Sequence, residues 1–77
     1  MLTELVKHVV TKLVDAPEAI NLAQVEKEGN LVIELRVASD DLGKVIGKEG
    51  RTARSLRTLV GAAAKLEGRT AVLEILE

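Results

Sequence analysis

Cysteine is absent from the 77 residues, which excludes disulfides and thiolate metal sites and fits a reducing compartment. Phenylalanine, tyrosine and tryptophan are absent too, so the core must be built from Leu, Val, Ile and Ala. No apolar run approaches the ~20 residues of a membrane span. The N-terminus alternates charge with valine instead of showing the apolar block of a signal peptide. These absences lead to the expectation of a soluble, cytoplasmic domain with no membrane association. A catalytic constellation is missing as well. Ser39 and Ser55 have no evident base, and His8 has no second ligand nearby. The adjacent Asp40 and Asp41 read as helix-capping residues. The chain is expected to be no enzyme and to take no metal, cofactor or small-molecule substrate.

What is present is a hydrophobic fraction of 47%, ample for a packed core. Residues 1–77 read as a single domain. A chain this short buries roughly 60–65% of its unfolded surface, so its margin is thin and oligomerisation would help.

Leu2, Leu5, Val6, Val9, Val10, Leu13 and Val14 follow the spacing of an amphipathic helix over 2–15, with Thr3 as N-cap and Pro17 beyond its end. Leu22–Glu28 and Leu31–Ala38 read as strands joined by a Gly29-Asn30 turn. Ser39-Asp40-Asp41 supplies a cap and an acidic first turn for a short helix reaching Ile46. A long helix is expected over 51–66, with Ala53, Leu56, Leu59, Val60 and Ala63 on its apolar face. Gly68 is a stop signal, and Thr70–Leu76 suits a last strand. The order is α-β-β-α-α-β, an α+β domain whose helices pack on one face of a three-stranded sheet.

The most informative stretch is Val45-Ile46-Gly47-Lys48-Glu49-Gly50-Arg51, where two glycines bracket a pair of charged residues between two helices. Glycine lets a tight connection form and lets another backbone come close. The next helix opens with amides aimed at the loop, a seat for phosphate. The net charge of −1 hides an asymmetry. Lys44, Lys48, Arg51, Arg54 and Arg57 stand against one acid, Glu49, while the other residues carry six basic and eleven acidic groups. A positive patch on an acidic body steers an anion to one place. Neither nucleotide fingerprint fits. Lys48 is followed by Glu49 and not by the hydroxyl of a P-loop, and the glycines follow a helix where a dinucleotide site follows a strand.

This stretch, followed by Ala53, Leu56 and Gly61-Ala62, resembles the Ile-Gly-x-x-Gly signature of KH domains, whose loop clamps four nucleotides of single-stranded nucleic acid. The element order matches the type II arrangement. Length, order and the Gly-Arg-Thr-Ala stretch are together most similar to the small bacterial single-KH-domain family known as KhpA. The resemblance implies an RNA chaperone or post-transcriptional regulator, a larger KH-containing protein partner, and a link to cell-wall growth and cell shape. Two features depart from the pattern. Glu49 puts an acid in the clamp, and the helix continues through Gly61-Ala62 into Ala63, Ala64 and Lys65.

The expected RNA-binding set is Lys44, Ile46, Gly47, Lys48, Glu49, Gly50, Arg51, Ala53 and Arg54. The backbone of Gly47–Gly50 approaches phosphates, Lys48 acts as a mobile point charge, and Arg51 and Arg54 act as forked donors. Lys44 flanks the path, Ile46 floors the groove with Val45 in the core, and Ala53 leaves room for a base. Arg57 is read either as the end of the arginine row or as a structural residue pairing with an acid on the body, and base edges are expected to meet the backbone of the last strand. Lack of aromatic rings argues against a stacking platform. The competing reading is a homo- or heterodimerisation module using Leu59, Ala62, Ala63 and Leu66, with little RNA affinity of its own.

Overall fold

Leu31, Ile33 and Leu35 alternate along one strand, and all three side chains are buried against the helices. They belong to β2 (Asn30–Arg36), the centre of a three-stranded sheet in the order β1-β2-β3. The computed structural model describes residues 2–77. β1 (Asn21–Lys27) pairs antiparallel with β2, and β3 (Ala71–Ile75) pairs parallel with it. A parallel neighbour demands a crossover. Here the crossover carries α2 (Leu42–Ile46) and α3 (Arg51–Leu66). α1 (Leu2–Thr11) packs on α3 and β1, and α3 packs on β3. The α-β-β-α-α-β order and the single helical layer expected from the sequence are both observed.

Local chemistry moves several boundaries. α1 stops at Thr11, four residues short of expectation, where Thr11 Oγ1 donates to the Lys7 carbonyl at 2.6 Å. The next amides tighten to Lys12 N–H to Val9 and Leu13 N–H to Val10. The apolar stripe nevertheless runs on, because Val14 still reaches the core. Thr3 is no N-cap. The helix already includes Leu2, and Thr3 Oγ1 accepts instead from Gln24 Nε2 at 3.4 Å.

The hairpin turn sits one residue earlier than Gly29-Asn30. Glu28 and Gly29 are its two central residues, at φ +53° and +82°, and Asn30 pairs with Lys27. Positive φ at both centres is what a two-residue turn needs to match the strand twist.

On α3 the buried residues are Ala53, Leu56, Val60 and Ala64. Leu59 is 39% exposed and Ala63 only half-buried, so the stripe leans away from the expected one. α3 ends as Gly68 suggests. Gly68, at φ +71°, donates to the Lys65 carbonyl, and Arg69 donates to that of Ala64. This pair of bonds satisfies carbonyls that the helix end would leave open.

Ser39–Asp41 forms a 3-10 turn ahead of α2, and no side chain caps either element. Asp41 has a different task. Its carboxylate is 2% exposed and accepts the backbone N–H groups of Asp15 (3.1 Å) and Ala16 (3.0 Å), just before Pro17. The helix-capping reading of Asp41 is therefore corrected: it fastens the α1–β1 connection to the start of α2.

Candidate nucleic-acid interface

The loop between α2 and α3 is shaped by three positive φ values. Gly47 lies at φ 76°, ψ 173°, Glu49 at φ 56°, ψ 26°, and Gly50 at φ 75°, ψ 13°. The first combination is essentially restricted to glycine. Gly47 ends α2 by donating to the Gly43 carbonyl at 2.8 Å, and Gly50 donates to the Gly47 carbonyl at 3.1 Å. A 3-10 turn over Lys48–Gly50 then leads into α3, whose N-terminus has no side-chain cap.

The two glycines differ in surroundings. A Cβ on Gly47 would stand 2.6 Å from Thr52 Cβ and 2.9 Å from Thr52 N. A Cβ on Gly50 would meet nothing within 4 Å. Gly47 thus faces inward on the first turn of α3, while Gly50 faces open space.

Lys48, Arg54 and Arg57 are exposed and hold no ion pair among the described residues. For Arg57 this removes the alternative of a pairing with an acid among the described residues. Arg51 Nη2 lies 3.3 Å from Glu49 Oε1, both side chains well exposed. Lys44 is engaged elsewhere. Its Nζ donates to Asp15 and, at 3.3 Å, to Asp41 Oδ1. The Asp15 bond raises the Lys44 pKa above its ordinary value, against an opposing effect of burial and with further help from Asp41. The Asp41 carboxyl is held below the usual carboxylate range by the Asp15 and Ala16 N–H groups, with Lys44 adding to them.

The apolar members of the expected set divide. Val45 is fully buried in the core, and Ile46 remains half-exposed at the end of α2, beside the loop. Ala53 is 3% exposed, an interior residue with almost no surface to offer a base. The position expected to leave room in a groove instead belongs to the buried stripe of α3. Asp15 and Asp41 were not among the expected site residues. Their link runs through backbone amides, which no side-chain pattern announces.

A hollow of about 360 Å³ between α1 and β1, lined by Thr3, Glu4, Lys7, Ile20, Leu22 and Gln24, shares no residue with the loop. No group of three or more His, Asp or Glu side chains is placed to hold a metal ion among the described residues. No described helix is long and apolar enough to cross a membrane.

The fold and the Gly-x-x-Gly connection between α2 and α3 define a type II KH domain. Era from Aquifex aeolicus, in a crystal structure with GDP.AlF4-, superposes with a TM-score of 0.68 at 23% identity, over 96% of this chain and 29% of its own. Era in complex with MgGDPNP and nucleotides 1506–1542 of 16S ribosomal RNA gives the same score, with 28% of that chain covered. These likenesses speak for the fold. The family follows from sequence: residues 3–75 match the model described as KhpA/KhpB, KH domain, and the chain belongs to that family. The RNA-binding protein KhpA of Caldanaerobacter subterraneus is 47% identical over 73 residues, covering 95% of this chain and 97% of the relative. That of Aquifex aeolicus is 46% identical over 76 residues, covering 99% and 96%. Both are named for RNA binding and neither for an enzymatic activity.

Proposed function

We propose that this chain binds single-stranded RNA across the Gly47–Gly50 loop. RNA binding as such is supported by its family and by the names of its relatives. The observation that carries the loop assignment is the coincidence of a glycine-formed backbone turn, an uncapped α3 N-terminus and the unpaired cations Lys48, Arg54 and Arg57. In this reading the phosphates lie along the loop, and Lys48 and Arg54 meet them as donors. Ile46 offers an aliphatic surface beside the path. β3 is an edge strand bonded only to β2, so its outer backbone groups are available to base edges. Duplex RNA is disfavoured, because its base edges are not free to reach a strand.

The resemblance to KhpA extends the reading to a cytoplasmic RNA chaperone or post-transcriptional regulator, acting with a larger KH-containing protein and affecting cell-wall growth and cell shape. A second reading, self-association or pairing with a related domain, is supported by the outer side of α3. Leu66 is 90% exposed, Leu59 is 39% exposed, and Gly61 has nothing within 4 Å of where its Cβ would stand.

The Lys48→Asp, Glu49→Asp double variant tests the clamp. Both side chains are exposed, so the expected outcome is an unchanged circular dichroism spectrum with loss of binding to an unstructured RNA oligomer. Retained affinity in a folded double variant would rule out the loop as the site.

A further inference from the structure

The cations beside the loop are not equally available. Lys48, Arg54 and Arg57 are free of ion pairs among the described residues, whereas Lys44 is held by two carboxylates. Those two carboxylates have different commitments. Asp41 is 2% exposed and already serves the Asp15 and Ala16 amides, so it belongs to the frame. The Asp15 side chain is 84% exposed, and among the described residues its carboxylate makes no contact other than the Lys44 ammonium. It is the backbone N–H of Asp15, not its carboxylate, that ties this connection to Asp41.

An ammonium has three donors. Asp41 anchors one from the buried side, and Asp15 covers another from the solvent side. A carboxylate oxygen and a phosphate oxygen are equivalent acceptors for such a donor, so a phosphate arriving from the solvent side, where Asp15 sits, meets a position already filled. Lys44 stands three residues before Gly47 on α2, about 4.5 Å of helix rise from the start of the loop. The filled position therefore belongs to the short helix that delivers the loop to the path assigned to RNA.

We propose that Asp15 is a built-in competitor of RNA phosphate for Lys44. In the free protein its carboxylate occupies the solvent side of the ammonium, and a backbone phosphate entering beside Gly47 displaces it. Asp41 keeps the ammonium in place throughout. Lys44 then contributes less to affinity than an unpaired lysine would, because a phosphate that takes the Asp15 position gains one contact and costs one carboxylate contact. The inference rests on the single-stranded RNA reading and concerns how tightly that site holds its ligand.

The test is a salt titration of binding to a fluorescently labelled, unstructured RNA oligomer. It compares the full wild-type chain with Asp15→Asn, Lys44→Gln and the double variant. Asp15→Asn is expected to bind about two- to fivefold more tightly, the scale of an exposed ion pair. Its log-log salt slope should stay close to the wild-type value, because Lys44 meets the same phosphate in both complexes. In the Lys44→Gln background the same change should do nothing. An Asp15→Asn variant with unaltered affinity overturns the proposal while wild-type binding still stands. A gain that survives in the Lys44→Gln background also overturns it, since that gain would be a general effect of removing negative charge. Absence of salt-sensitive binding by the wild type overturns the RNA reading and this proposal with it. Asp15→Ser, which keeps the backbone N–H and removes the carboxylate, should reproduce the result.

Discussion

Gly47 lies against Thr52, so closely that a Cβ on the glycine would stand 2.6 Å from Thr52 Cβ and collide with its hydroxyl as well. The contact closes α2 onto α3, and it separates the two glycines of the loop by role. Gly47→Ala meets both a glycine-only backbone conformation and a steric collision. Together these should cost roughly 2–4 kcal/mol. Gly50→Ala meets the left-handed conformation alone, with open space around it, and should cost about 1 kcal/mol. For a domain of this size, 1 kcal/mol shifts the melting temperature by about 4–8 °C. The melting temperatures of the two variants should therefore differ by about 4–24 °C, with Gly47→Ala the lower. Equal melting points would show that the Gly47–Thr52 contact is absent in solution.

Glu49 is one of two non-glycine residues at positive φ, at +56°. An L-residue there is strained by roughly 1–2 kcal/mol, part of which glycine recovers at its own entropic cost. Glu49→Gly should therefore stabilise the domain by about 0.5–1 kcal/mol. It also removes the carboxylate 3.3 Å from Arg51, freeing that guanidinium for phosphate. A higher melting temperature and tighter RNA binding should appear together in the same variant. A lower melting temperature would mean that Glu49 leaves this conformation in solution.

What could be read from the sequence, and what could not, follows the reach of each interaction. β2 was legible because Leu31, Ile33 and Leu35 alternate with Val32, Glu34 and Arg36 on the other face over a full strand, a signal that needs no partner. The loop was legible because Gly47 and Gly50 mark positions where the backbone excludes other residues. The hairpin turn was misplaced by one residue, since Glu28 at φ +53° occupies a position that propensity gives to Asn or Gly. The lean of α3 that buries Ala64 and leaves Leu59 half-out depends on how α1 and β3 approach it, which helical periodicity alone does not fix. Asp41 was the least legible. Its partners are the amides of residues 15 and 16, brought to it only once the segment after α1 has reached the start of α2.

The same carboxylate gives the acid limit of the fold. The folded-state pKa of Asp41 is lowered by the Asp15 and Ala16 N–H groups, so its ionised form is favoured by folding. The stabilisation is complete above the ordinary carboxylate pKa of about 3.9 and is lost as pH falls through the lower folded value. Wild-type stability, followed by urea denaturation, should fall below about pH 4 more steeply than that of Asp41→Asn. The variant should be less stable at pH 7, because an amide NH2 cannot accept from both backbone donors. Parallel acid limbs for the two proteins would show that Asp41 does not set this dependence.

The salt dependence of RNA binding measures how much of the charge run takes part. A four-nucleotide clamp touches about two to four phosphates, and single strands give a log-log slope of about −0.7 for each one neutralised. The expected wild-type slope is on the order of −1.5 to −3. Arg54 is exposed and holds no ion pair among the described residues, so a phosphate contact there would not first have to break one. Arg54→Ala should therefore make the slope shallower by about 0.7, with a matching loss of affinity and no change in sequence preference. Duplex RNA of the same length should bind poorly, because the loop would meet its phosphates while its bases stayed paired. Equal affinity for duplex would reduce the site to a nonspecific basic patch. An unchanged slope together with a shift in sedimentation would assign Arg54 to an interface between protein chains. The two measurements together thus decide whether the arginines after Gly50 face a nucleic acid or a second domain.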